Sequence, residues 1–144
     1  ERADRFRTGE TWIEMPVARG DLAVSVANRT LELLTEPLLH PLVQIQTMAE
    51  QVQAMLKASL DALVERDVEA AMDVCRRDSE VDRLHRTISA TLVGLMSAQP
   101  ASISRALALL LVARALERIA DHTTNIAENV VYLVSGRTVK HRSR

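Results

Sequence analysis

The sequence predicts an all-α fold, an antiparallel three-helix repeat with an additional helix before it. Three observations carry this. Apolar residues recur every three or four positions through three long stretches, which is the helical period, and no stretch alternates as a half-buried strand does. The breaks between these stretches are short, Arg66-Asp67 and Gln99-Pro100-Ala101-Ser102, and short links between long helices make antiparallel neighbours. Apolar residues make up 47% of the chain but aromatic ones only 2%. Ala, Leu and Val must then fill the interior, which suits closely packed helices.

Residues 1–16 mix charge with Gly9, Trp12 and Pro16 and keep no period, so they are expected to be irregular. Pro16 suits a first helical turn, where its missing N–H costs little. A helix over 17–35 follows, with Leu22, Val26 and Leu33 on one face, and Pro37 and Pro41 punctuate the link after it. The next helix spans 39–65, its apolar positions Leu42, Ile45, Ala49, Val52, Leu56, Leu60 and Leu63. Asp67 is placed to cap a helix over 68–98, whose seam is Val74, Val81, Leu84, Ile88, Leu92 and Leu95. Ser102 is placed to cap the last helix, 102–134, and Gly136 to stop it.

Composition narrows the function. A chain of 144 residues suits one domain with a real core. The formal net charge of −1 argues against non-specific nucleic-acid binding, which needs a basic surface. Arg137, Lys140, Arg142 and Arg144 make the 137–144 tail basic, and it reads as a solvated terminus. With Cys75 the only cysteine, no intrachain disulfide or cysteine-based zinc site forms, which is compatible with a cytoplasmic location. The longest apolar run, Ala106–Ala113, has eight residues, and membrane insertion needs about twenty. There is no signal-peptide pattern, and a start at Glu1 rather than Met reads as a fragment or a processed form.

The chemistry lies in two acidic stripes. Glu117, Asp121, Asn125 and Glu128 fall at i, i+4, i+8 and i+11 of the last helix, one narrow stripe at about 100° per residue. Asp78 and Asp82 are i, i+4 on the preceding helix, with His85 on the same face and Cys75 to one side. Were those helices antiparallel neighbours, Asp78 and Asp82 would face Glu117 and Asp121, and carboxylates so placed repel unless protonated or bridged by cations. Oxygen donors suit magnesium, calcium or manganese, and an added imidazole admits iron or zinc. The competing reading is a solvated surface on which Arg83, Arg86, Arg114 and Arg118 pair with these acids. His122 points away from Asp121 and reads as an interface or surface histidine; His40 lies in a loop beside Pro41. Asp82-Arg-Leu-His85 is one residue type away from the Glu-x-x-His of di-iron bundles, but no second copy occurs. No glycine-rich phosphate loop or nucleophile elbow is present, so the chain does not read as an enzyme.

The acidic stretch is partly written twice. Residues 20–34, GDLAVSVANRTLELL, and 120–134, ADHTTNIAENVVYLV, align at an offset of one hundred, with Asp21 on Asp121, Ala27 on Ala127 and Leu33 on Leu133. Leu116-Glu-Arg-Ile-Ala-Asp-His-Thr-Thr-Asn-Ile-Ala-Glu128, with Val131-Tyr-Leu-Val-Ser-Gly136, resembles the third-helix signature of the PhoU family of phosphate-uptake regulators. Such proteins hold two three-helix repeats. The resemblance implies that 17–36 is the last helix of a truncated first repeat and 37–136 a complete second one. Val17 stands where the family has an acidic residue four before Asp21, a departure from the family's paired-carboxylate pattern on that half.

The family's Glu/Asp-x-x-x-Asp pattern, on which some members hold iron or zinc clusters, matches Asp78 with Asp82 and Glu117 with Asp121. The metal ligands so implied are Asp78, Asp82, Glu117 and Asp121, with iron, zinc, magnesium or manganese as candidate ions. The function implied is regulation of phosphate uptake and phosphate-starvation signalling, as a helical adaptor between the ATPase subunit of a phosphate ABC transporter and a membrane sensor histidine kinase. The alternatives are a PhoU-like accessory domain of another phosphate transporter, and a metal-binding or storage bundle. A homo-oligomer is expected, because the 17–35 seam needs a surface to cover it.

Overall fold

The computed structural model describes residues 42–136, with the isolated positions 24, 27 and 28, which are helical and exposed. The rest of the expected 17–35 helix, the 1–16 segment and the 137–144 tail lie outside the described residues. Three helices build the bundle: α1 (Leu42–Glu65), α2 (Val68–Ala98) and α3 (Ile103–Ser135), with a single 3-10 turn, Pro100–Ser102, before α3. No strand occurs among the described residues.

The helix ends follow from local chemistry. Arg66 takes a left-handed backbone, φ 56°, which turns the chain out of α1. Asp67 then caps α2, its Oδ1 accepting from the Glu69 and Ala70 N–H groups at 2.9 and 3.0 Å. Asp67→Ala leaves those two donors without the carboxylate and is expected to cost about 1 kcal/mol in urea denaturation. The expected Ser102 cap does not form. Its hydroxyl instead donates to the Gln99 carbonyl at 2.7 Å, because Pro100 has already begun the turn as a 3-10 element and the side chain closes it from behind. Gly136, at φ 69°, ends α3 by donating its N–H to the Tyr132 carbonyl at 2.9 Å.

The core is rotated slightly from the seams that Leu and Ile alone mark out. On α1 the deepest side chains are Met48 and Met55, both 0% exposed, with Val52 and Ala62, whereas Leu60 is 44% exposed and Leu63 38%. On α2 the inward set is Ala71, Val74, Val81, Ile88 and Leu92. On α3 an alanine recurs every seven residues, Ala106, Ala113, Ala120 and Ala127, all closed to solvent. Leu109, Leu116, Thr123 and Val130 interleave with them at the other heptad core position, while Leu133 stays 51% exposed. Methyl-sized knobs let α1 and α2 come close to α3, which gives a tight bundle without aromatic residues. The buried hydroxyls in this seam are satisfied within the helix: Thr123 Oγ1 donates to the Ile119 carbonyl at 2.8 Å and Thr124 Oγ1 to the Asp121 carbonyl at 2.7 Å.

Candidate functional site

The two acidic stripes meet where α2 and α3 run past one another. Burial, first of all, raises the Glu117 carboxyl above its ordinary value of 4.5; Asp121 and Asp82 push it the same way, while His85 and Arg114 draw it down. Burial also raises Asp121 above its ordinary 3.8, Asp82 adds to the rise, and His122 and Arg118 oppose it. Asp82, His85, Glu117 and Asp121 thus form one half-buried group, in which like charges crowd across the seam.

Asp78 belongs a turn further along. It is 1% exposed, closed into the helix interface, and stands with Glu128 against Cys75. Burial pushes the Cys75 thiol up from 9.0 to about 11, and the charges of Glu128 and Asp78 push the same way, which keeps it protonated and unreactive at neutral pH. The antiparallel stagger explains the split. Asp82 acts on Asp121 across the seam, whereas Asp78, one turn back along α2, acts on Cys75 together with Glu128, which lies about two turns beyond Asp121 on α3. The sequence places all four carboxylates on the sides of α2 and α3 that face each other, and the structure has them there. The sequence does not reveal the stagger, and it does not show that Glu128 joins Asp78 rather than extending a solvated stripe.

The expected arginine partners behave unevenly. Arg83 turns away and holds Glu80 through two hydrogen bonds of 2.6 and 3.0 Å. Arg86 donates from Nε to the Asp82 carbonyl at 3.3 Å. Arg114 and Arg118 act on Glu117 and Asp121 through space. No salt bridge among the described residues joins any of these arginines to Asp82, Glu117 or Asp121. By type, carboxylate oxygens with one imidazole beside them fit a hard or borderline cation. By arrangement, no group of three or more His, Cys, Asp and Glu among the described residues is gathered closely enough to hold one. The donor types suit a cation, while the described arrangement holds no ready-made site for one.

A hollow of about 450 Å³ lies between the C-terminal ends of α1 and α3, lined by Leu63, Arg66, Val130, Leu133 and Val134. Arg66 is the one charged group among the described residues of that lining. No described helix is long and apolar enough to cross a membrane.

Comparison with known proteins agrees with this architecture. The model of the PhoU domain matches residues 45–130, more than half of the chain. The phosphate-specific transport system accessory protein PhoU homolog of Clostridium acetobutylicum is 39% identical over 121 residues, covering 83% of this chain and 55% of that protein. Homolog 2 of Thermotoga maritima is 42% identical over 120 residues, covering 83% and 51%. The crystal structure of PhoU from Pseudomonas aeruginosa superposes with a TM-score of 0.79 at 39% identity, over 82% of this chain and 57% of that one. That of the phosphate transport system regulatory protein PhoU from Streptococcus pneumoniae gives 0.77 at 30%, over 85% and 57%. The chain spans about half the length of the curated relatives it matches. With a helical bundle, an acidic seam and a sequence likeness that all coincide over α1 to α3, the chain belongs to the PhoU family.

Proposed function

We propose that this chain regulates phosphate uptake and phosphate-starvation signalling as a non-catalytic helical adaptor in the cytoplasm, between the ATPase subunit of a phosphate ABC transporter and a membrane sensor histidine kinase. The observation that carries the reading is the family match over 45–130, whose relatives are named as accessory proteins of phosphate-specific transport. The architecture supports it. A stiff bundle, with α3 of 33 residues reaching about 50 Å, presents long faces to a partner. An adaptor of this kind works only by binding one state of its partner more tightly than another. The test is genetic: cells lacking the gene should switch on a phosphate-starvation reporter in phosphate-rich medium, and the restored gene should silence it. A reporter that stays silent throughout defeats the proposal.

Within that role the carboxylate seam is proposed to hold a metal cation, iron, zinc, magnesium or manganese, through Asp78, Asp82, Glu117 and Asp121. The support is the crowding of half-buried like charges at Asp82, Glu117 and Asp121, which a cation relieves, and Asp78 enters through the family's paired-carboxylate pattern alone. A homo-oligomer formed through the 17–35 seam belongs to the same proposal, and sedimentation at high concentration tests it.

A further inference from the structure

The end of the bundle where α1 and α3 stop together carries an apolar patch that the packing leaves open. On α1, Leu60, Leu63 and Val64 fall at i, i+3 and i+4, one face of the last turns, and all three are exposed, Val64 by 82%. On α3, Leu133 and Val134 are half-exposed. Leu63, Val130, Leu133 and Val134 line one hollow with Arg66, so the two helix ends form a single surface. Directly after Gly136 the sequence turns basic. From Asn129 to Arg144 no Asp or Glu occurs, while Arg137, Lys140, Arg142 and Arg144 crowd into the tail with His141 among them. The acids near this end are engaged locally. Asp61 faces Lys57 at 3.6 Å. Asp67 Oδ1 accepts from the first N–H groups of α2. Glu69 complements the α2 N-terminus in which it stands, and Glu65 is next to Arg66.

We propose that this end of the bundle binds the surface of an anionic lipid bilayer, with Leu63, Val64, Leu133 and Val134 set into the boundary of headgroups and acyl chains and the cations of 137–144 on the lipid phosphates. Binding at such a surface adds buried apolar area to electrostatic attraction, and here the two sit side by side. A run of four Lys and Arg beside an apolar patch has the composition that anionic headgroups attract. The contact is with the surface alone, since no described helix is long and apolar enough to cross. Two features favour lipid over a protein partner. The apolar side chains surround a hollow, and a fluid bilayer fills such a shape without a matched counterpart. The cations follow one another along the chain instead of recurring at i, i+4 of a described helix, which suits spread phosphate charge rather than acids at fixed positions. A second copy is a poorer occupant, because joining two such ends brings two basic tails together.

The inference goes beyond the adaptor reading and can fail separately from it, because its test contains no transporter and no kinase. The full chain is sedimented with vesicles of phosphatidylcholine mixed with phosphatidylglycerol, and with vesicles of phosphatidylcholine alone. It should bind the anionic vesicles about a hundredfold more tightly than the neutral ones, and high salt should erase that preference. Arg137→Gln/Lys140→Gln/Arg142→Gln/Arg144→Gln lies wholly beyond α3 and should bind both kinds of vesicle equally weakly. Val64→Ser/Leu133→Ser changes exposed positions without changing charge and should weaken binding to the anionic vesicles by about tenfold. Circular dichroism of each variant reports the fold independently. Equal affinity of the parent for the two vesicles, or none for either, overturns the inference. So does full binding by Val64→Ser/Leu133→Ser, which leaves only a basic tail drawn to charge. Binding of single-stranded RNA as tight as that of the anionic vesicles overturns it too, as does a chain that ignores both vesicles and whose self-association is abolished by Val64→Ser/Leu133→Ser.

Discussion

Met55→Ala is expected to lower the stability of the bundle by about 2–5 kcal/mol, the range for truncating a fully buried methionine. Met55 is 0% exposed and packs in one core with Val52, Val74 and Leu109. Deletion removes transferred apolar surface and leaves a gap that helices held close by alanine knobs cannot easily collapse into. Against a typical total stability of about 5–15 kcal/mol, this is a large fraction. Leu60→Ala is the matched control. At 44% exposure it should cost under about 1 kcal/mol, although Leu60 keeps the same helical period as the core. Urea denaturation should shift its midpoint for Met55→Ala with an unchanged slope, the mark of lost stability rather than altered compactness. Equal losses for the two variants would contradict the rotated core.

Asp121→Asn carries the second large effect. It keeps shape and removes one charge from the Asp82, Glu117 and Asp121 group. If the seam binds a cation, affinity should fall by about tenfold or more, since losing even an outer-shell partner costs that much. The apo protein should hold its stability or gain some. Glu117 and Asp121 both have folded values raised by burial and by neighbouring carboxylates. A carboxyl raised on folding favours the native state when protonated, so its contribution is greatest below the ordinary values of 3.8 and 4.5 and is lost as pH rises through the raised ones. At neutral pH both ionised groups oppose folding, and the neutral amide of the Asp121→Asn variant would remove part of that opposition. Calorimetric metal titration with thermal melts at about pH 5 and pH 7 checks both halves. Between those two conditions the stability of the parent should change less favourably than that of Asp121→Asn. Unchanged metal affinity with a less stable apo protein would make Asp121 a salt-bridge partner of Arg118 and nothing more.

Much of this is legible in the residues. Period, breaks and the Asp67 and Gly136 signals place three helices within a few residues of where they lie, because capping and left-handed turns are local chemistry. The i, i+4 carboxylate pairs fix which faces carry charge for the same reason. Three features lie beyond the reach of local pattern. Which apolar residues go deepest depends on three neighbouring surfaces at once, so larger Leu and Ile side chains outrank Met48, Met55 and the alanine heptad in the pattern alone. The meeting of Asp78 and Glu128 at Cys75 rests on interhelical stagger, which local spacing does not carry. Ser102 has cap chemistry, but Pro100 gives the chain another way to start α3. The alanine spacing of seven is the sequence signal that marks the true seam.

The adaptor reading is tested most directly by physical contact with the transporter. Purified chain would be titrated against the phosphate ABC transporter of the same cell, reconstituted in lipid nanodiscs, and association followed by biolayer interferometry. The account predicts saturable binding that changes strength between nucleotide-bound and nucleotide-free transporter, as any regulator acting by differential affinity requires. Absence of binding in both states, by a chain that calorimetry shows to be folded, would contradict it.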